Sequence, residues 1–201
     1  MKLDPFYPIV DSVDWIARLV PLGVKLVQLR IKNMERRALR AEIRGAKSIC
    51  ARFGCTLVIN DYWRLALDEG CDFVHLGQED LAHADIAAIH FAGVRLGLST
   101  HDHGELATAL DAAPDYVALG PVYPTILKKM RWAPQGLERI TEWKRLVAPL
   151  PLVAIGGLNP DRLAGVFAHG ADSAAVVTDI TRNADPEART REWLEATAPW
   201  R

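Results

Sequence analysis

A closed (β/α)8 TIM barrel, one domain over residues 1–201, is the fold this sequence predicts, and three observations support it. Short apolar runs recur eight times, each is nearly continuous in apolar character, and amphipathic stretches separate most of them. Continuous runs suit parallel strands covered on both faces, whereas a sheet with one wet face would alternate. Eight strand-helix units in 201 residues leave about 25 residues each, which is enough for a minimal barrel. An open doubly wound sheet is the competitor, but no Gly-x-Gly-x-x-Gly fingerprint follows the first run.

Taken in order, the strands are expected at 7–10, 24–29, 56–60, 73–76, 94–98, 116–119, 152–155 and 174–177. The clearest helix is 34–53, where Leu39, Ile43, Ala46, Ile49 and Cys50 recur at three- and four-residue steps. Further helices are expected at 80–91, 102–111, 137–147, 159–168 and 185–196, each opening at or near a residue suited to a helix N-terminus. Asn159-Pro160 is the strongest of these starts, with Asn as cap and Pro in the first helical position. The segments 7–22 and 60–70 leave little room for helices.

Composition narrows the function. The chain carries 24 Lys and Arg against 25 Asp and Glu, a net charge of −1. No general basic field exists to gather nucleic acid or an anionic membrane. Half the residues are apolar, yet no run reaches the ~18–20 residues needed to span a bilayer. The N-terminus lacks a basic region followed by an apolar stretch, so a cytoplasmic protein is expected. Cys50, Cys55 and Cys71 show neither CxxC spacing nor a framework of pairs and read as reduced thiols. The six histidines include no His-x-x-x-His pattern, which argues against zinc; His75, inside an apolar run, reads equally well as a satisfied core group.

Barrels of this kind build their sites at the C-terminal strand ends. Gln28, Arg30 and Lys32 alternate with Leu29 and Ile31, which puts them on one inward face if the strand continues, an arrangement suited to a phosphate or diphosphate. The alternative is a strand end spilling into a solvated loop. Asn60-Asp61 and Gln78-Glu79-Asp80 place acids at two neighbouring strand ends. Mg2+ commonly takes one or two carboxylates and completes its shell with water and phosphate oxygens. Against that, Asp80 and Asp61 could simply cap the chain that follows. Gly156 and Gly157 open toward Pro160, and glycine there lets backbone amides approach an oxyanion closely.

These motifs in order resemble the thiamine phosphate synthase family: Gln-Leu-Arg-Ile-Lys at 28–32, Ile-Asn-Asp at 59–61, Val-His-Leu-Gly-Gln-Glu-Asp-Leu at 74–81, Ser-Thr-His at 99–101, Leu-Gly-Pro-Val-Tyr-Pro-Thr at 119–125, Ala-Ile-Gly-Gly at 154–157 and Gly-Ala-Asp at 170–172. The resemblance implies transfer of a hydroxymethylpyrimidine group from its diphosphate to the nitrogen of a thiazole phosphate, with pyrophosphate leaving first. It further implies that Gln28, Arg30, Lys32, Asn60, Ser99 and Lys128 hold the pyrimidine diphosphate, with Arg30, Lys32, Ser99 and Lys128 assisting the chemistry. Asp61 and Asp80 would hold Mg2+, and Thr125, Gly156, Gly157, Val177 and Thr178 would receive the thiazole phosphate. The implied partners are these two small molecules, with no nucleic acid and no membrane; a homo-oligomer stays open.

This chain departs from the family pattern in several places. Leu127 stands where the family has a second threonine, Tyr62 where it has arginine, and Thr178-Asp179 where it has serine and a small residue. Asp179 is expected to repel the thiazole phosphate. A sister group, the thiazole tautomerases, carries a catalytic His after the sixth strand's Gly, and Pro121 occupies that position here. A non-catalytic phosphate-ligand binder is the third reading. Met130 and Trp132, in the 126–134 loop, are either the apolar face of a lid or satellite packing.

Overall fold

The computed structural model describes residues 1–125 and 132–201. Eight parallel strands close into a barrel in sequence order, β1 pairing with β8. They are β1 (Phe6–Val10), β2 (Leu26–Leu29), β3 (Thr56–Asn60), β4 (Phe73–Leu76), β5 (Arg95–Thr100), β6 (Tyr116–Leu119), β7 (Leu152–Ile155) and β8 (Ser173–Val176). Between and after them run α1 (Val13–Leu19), α2 (Arg36–Phe53), α3 (Trp63–Asp68), α4 (Gln78–Leu81), α5 (Ile86–Phe91), α6 (His103–Asp111), α7 (Gly136–Val147), α8 (Leu163–Ala168), α9 (Thr178–Thr181) and α10 (Pro186–Thr197).

Alternation along each strand splits the core in two. Val27, Leu29 and Ile31 face outward into the layer between strands and helices, with Leu39, Ile43, Ala46 and Cys50 of α2 packed in the same layer. Inside the barrel a second cluster contains Tyr7, Leu26, Val58, Phe73, Tyr116, Val153 and Ala175. Tyr116 is the interior's pivot: its ring meets Phe73 edge-on at 5.6 Å and Tyr7 at 6.2 Å between centroids. Gly97 is the β5 partner of Tyr116, and a Cβ there would collide with the ring and come within 2.6 Å of its hydroxyl.

Four details differ from the sequence expectations. The long helix starts at Arg36 and not at residue 34, because the Glu35 carboxylate accepts from the amides of Arg37 and Ala38 and caps it there. The expected 80–91 helix is two helices, since Asp85 accepts from the Ala88 amide and begins α5 afresh. Asn159-Pro160 opens a 3-10 turn, Pro160–Arg162, before α8, and the Asn159 side chain makes no cap bond. Helices do fit in 7–22 and 60–70: Ser12 caps α1 through the Trp15 amide, and α3 follows a tight turn at Asp61.

Candidate active site at the barrel mouth

β2 ends at Leu29, but the ladder extends one residue further, with the Arg30 amide donating to Val10 O at 2.7 Å. Gln28 is buried, Ile31 packs outward, and Arg30 and Lys32 are on the inward parity that the sequence predicts. The Arg30 guanidinium lies close enough to His75 to disfavour its protonation. Lys32 reaches the Asp61 carboxylate in an ion pair.

Asp61 occupies the left-handed region at φ 63°, a conformation that costs energy for a non-glycine residue and clusters at functional sites. Its amide donates to His75 O while Tyr62 and Trp63 turn back on Asn60 O and Asp61 O. The strand thus ends abruptly, with a mostly buried carboxylate beside the mouth. Asp80, in the single turn of α4, meets it there. Burial first, then the Asp61 charge and a hydrogen bond to Asp61, push the Asp80 carboxyl above the usual range, with Lys32 opposing. Two carboxylates this close carry mutual repulsion that one lysine only partly relieves. The alternative, that each merely caps the helix that follows, does not describe them: Asp80 lies inside α4, and Tyr62 is the residue that precedes α3. Tyr62, in place of an arginine, packs its ring against the outer core.

Asn60 is 5% exposed, and its Nδ2 has no hydrogen-bond partner among the described residues. A buried unpaired donor is expensive, and Asn159 Oδ1 is the other buried side-chain atom left without a partner among the described residues. Ser99 and Thr100 lie within β5, not after it, paired with Ala118 and Leu119. Ser99 Oγ contacts His75 Nε2 at 2.8 Å. His75 is a buried core group bonded at both nitrogens, with Nδ1 at 2.7 Å from Tyr116 Oη, and burial pushes its pKa down to about 4. Gln78 braces this corner, its Nε2 donating to Ser99 O at 2.7 Å.

Across the mouth, Thr125, Gly156, Gly157, Val177 and Thr178 come together around a cavity of about 40 Å3. That is room for roughly three waters or one phosphoryl group. Gly156 and Gly157 have φ of 102° and 64°, and a Cβ on Gly156 would lie 2.6 Å from Pro121 Cα, so the turn requires glycine at both places. Asp179 does not face this cavity. Arg189 Nε and Nη2 donate to its two oxygens at 2.8 and 3.0 Å, and Trp193 Nε1 donates at 2.7 Å, which turns the carboxylate toward α10. The expected repulsion of a phosphate is therefore overturned.

Trp132 stacks on His101 with ring centroids 4.1 Å apart, and His101 Nδ1 pairs with Glu105 at 2.7 Å. Lys128, Leu127 and Met130, together with Lys129 and Arg131, lie outside the described residues. Sequence reasoning missed Tyr7 and Tyr116 as polar groups of the interior; the signal was their inward parity on β1 and β6, shared with Gln28 and His75. Among the described residues no three His, Cys, Asp or Glu side chains converge, and no helix is long and apolar enough to cross a membrane.

Fold and site together define a parallel (β/α)8 barrel whose C-terminal mouth carries a carboxylate-cation cluster and a small glycine-built cavity. Residues 6–180 match the family model described as thiamine monophosphate synthase, and the chain belongs to that family. It is 72% identical to a thiamine-phosphate synthase of Rhizobium etli, over 100% of this chain and 98% of that relative. A thiamine-phosphate synthase of Serratia proteamaculans is 50% identical over 94% of this chain and 89% of its own length. Among solved structures, a thiamine phosphate pyrophosphorylase from Pyrococcus furiosus superposes with a TM-score of 0.85 at 26% identity, covering 98% of this chain and 96% of that one.

Proposed function

We propose that this chain joins hydroxymethylpyrimidine diphosphate to a thiazole phosphate, giving thiamine phosphate and pyrophosphate, and that residues 1–201 do so as one cytoplasmic domain. The observation that carries this reading is the convergence of Asp61, Asp80 and Lys32 beside the unpartnered Asn60 amide. Two crowded carboxylates and an orphaned donor fit a divalent cation and an anionic ligand arriving together. Asp61 and Asp80 are the residues that would hold Mg2+, which when bound supplies positive charge to the diphosphate.

The protein's own groups then have distinct tasks. Gln28, Asn60 and Ser99 orient the pyrimidine diphosphate. Arg30 and Lys32 stabilise the charge that gathers on the diphosphate as its carbon-oxygen bond breaks, and Lys128 belongs with them by sequence. Lys32 is half exposed, so it can leave Asp61 for a phosphate oxygen at little cost. The departing pyrophosphate keeps the bonding electron pair, and the thiazole nitrogen gives its lone pair to the electron-poor carbon. Thr125, Gly156, Gly157, Val177 and Thr178 hold the thiazole phosphate. No strong nucleophile is needed, because stabilising the leaving group supplies the rate.

The test is pyrophosphate release with both substrates and Mg2+, measured on the unmodified chain and on Asp61→Ala and Asp80→Ala. Each variant should lose at least about tenfold in rate, roughly 1.4 kcal/mol of transition-state stabilisation. Normal Mg2+-dependent turnover in both variants overturns the metal assignment. Thiazole tautomerisation without pyrophosphate release overturns the synthase reading.

A further inference from the structure

Four hydrogen bonds bridge the barrel interior directly beneath the mouth. Gln28 Nε2 lies 2.9 Å from Tyr7 Oη, and Tyr7 Oη 3.0 Å from Tyr116 Oη. Tyr116 Oη is 2.7 Å from His75 Nδ1, and His75 Nε2 is 2.8 Å from Ser99 Oγ. Tyr7 and Tyr116 are fully buried, and Gly97 gives up its side chain to make room for the Tyr116 ring.

The donor inventory gives the chain a direction. Gln28 Nε2 has hydrogens and no free lone pair, so Tyr7 accepts there. The Tyr7 proton then goes to the Tyr116 oxygen, its remaining partner among the described residues. The Tyr116 proton goes to His75 Nδ1, which must be the bare nitrogen. The ring's single proton therefore sits on Nε2 and is donated to Ser99 Oγ, and the Ser99 proton is left to point outward. Run the other way, Ser99 donates to Nε2 and His75 Nδ1 donates to Tyr116. With Gln28 presenting Nε2 and not Oε1, Tyr7 then accepts twice, and its own buried proton has no acceptor among the described residues. A doubly protonated ring brings the same orphan and adds a buried charge.

We propose that Gln28, Tyr7, Tyr116 and His75 form a one-way hydrogen-bond chain that fixes the Ser99 hydroxyl as a donor at the mouth, selecting ligands that present a lone pair to it. Tyr7, Tyr116 and His75 are positioning residues that act through Ser99. The identification of that lone pair with an acceptor on the pyrimidine diphosphate rests on the proposed function; the polarity of the chain does not.

The experiment reads the His75 tautomer in the ligand-free protein, from the ring nitrogen NMR of 15N-histidine-labelled material, with the His75 signals identified by their loss in His75→Gln. The expected result is a protonated Nε2 and a bare Nδ1. Tyr7→Phe should preserve that tautomer, because Tyr116 still donates to Nδ1, whereas Tyr116→Phe should give a mixture. Tyr116→Phe should also raise the KM for the pyrimidine diphosphate about tenfold with kcat within about twofold, the signature of binding shared by ground and transition states. A protonated Nδ1 in the unmodified protein, or an unchanged tautomer in Tyr116→Phe, overturns the chain. The expected tautomer in a protein that binds no pyrimidine diphosphate overturns the substrate reading and leaves the chain standing.

Discussion

Replacing Asp179 with alanine separates two accounts of the same carboxylate. From sequence, Asp179 repels the thiazole phosphate, so its removal should lower the KM for that substrate. From structure, it is the anchor between α9 and α10, held bidentately by Arg189 and by the indole of the fully buried Trp193. The guanidinium and carboxylate remain about one fifth exposed, which limits the ion pair to about 1 kcal/mol after screening. Orphaning the buried indole N–H adds roughly 1–3 kcal/mol. The sum, about 3 kcal/mol, corresponds to a fall in Tm of roughly 6–12 °C for a chain of this size. Asp179→Asn keeps an acceptor for Trp193 and should lose about half as much. Circular dichroism melts and urea titrations measure both, with the midpoint expected to shift at constant slope. Because α9 begins at Thr178, loosening its anchor should raise the thiazole phosphate KM about twofold or more, the opposite sign to the repulsion account. An Asp179→Ala protein of undiminished Tm and lowered KM would refute the anchor.

Three further outcomes are expected. Gly97→Ala drives a methyl group into the Tyr116 ring and should cost about 3 kcal/mol in urea unfolding; a variant of normal stability would mean that the ring moves freely. His75 is held neutral in the fold, with its pKa at about 4 against the usual 6.5, so the unfolded chain binds the extra proton between those values. Stability is therefore intact above about pH 6.5 and falls by about 3 kcal/mol as pH drops to about 4. His75→Gln should flatten that part of the stability curve, and an unchanged slope counts against it. Truncating Arg30 or Lys32 should slow single-turnover pyrophosphate release more than it weakens pyrimidine diphosphate binding, and equal losses in both contradict their role at the leaving group.

The fold was legible because a parallel barrel writes each strand as a separate apolar run, and all eight runs match strands to within two residues at either end. Helix starts were legible where a side chain caps alone, as Asp102 does for the Glu105 amide and Asp185 for Ala188. They were misread where the capping choice depended on neighbours, as at Glu35 and Asn159. On the candidate site, residues near strand ends could be placed by counting, which is why Asp80 is found beside Asp61, and Gly156 and Gly157 beside Val177 and Thr178. The orientation of Asp179 could not, because its partners are 10 and 14 residues further along, on a helix whose rotation relative to α9 is a tertiary property.

The polar interior has the same explanation and a further consequence. Eight strands enclose a space that side chains must fill, and hydroxyls or imidazoles are admissible there only when each finds a partner across the barrel. Those partners lie on strands far apart in sequence: Tyr7 and Tyr116 are separated by 109 residues, His75 and Tyr116 by 41. No single run displays the pairing, so Tyr7 reads as an apolar strand residue and His75 as an isolated histidine. Once the barrel closes, Tyr7, Tyr116 and His75 are matched to one another within the interior, and the pairing reaches the mouth at its two ends, Gln28 and Ser99. The interior that stabilises the fold thereby presents its unspent hydrogen-bonding capacity at the mouth, on the same rim as the unpartnered Asn60 amide and the crowded carboxylates of Asp61 and Asp80. A ligand with oxygen or nitrogen lone pairs on one side and an anionic group that arrives with a cation on the other would satisfy all of these demands at once, and a purely apolar ligand would leave each of them unmet.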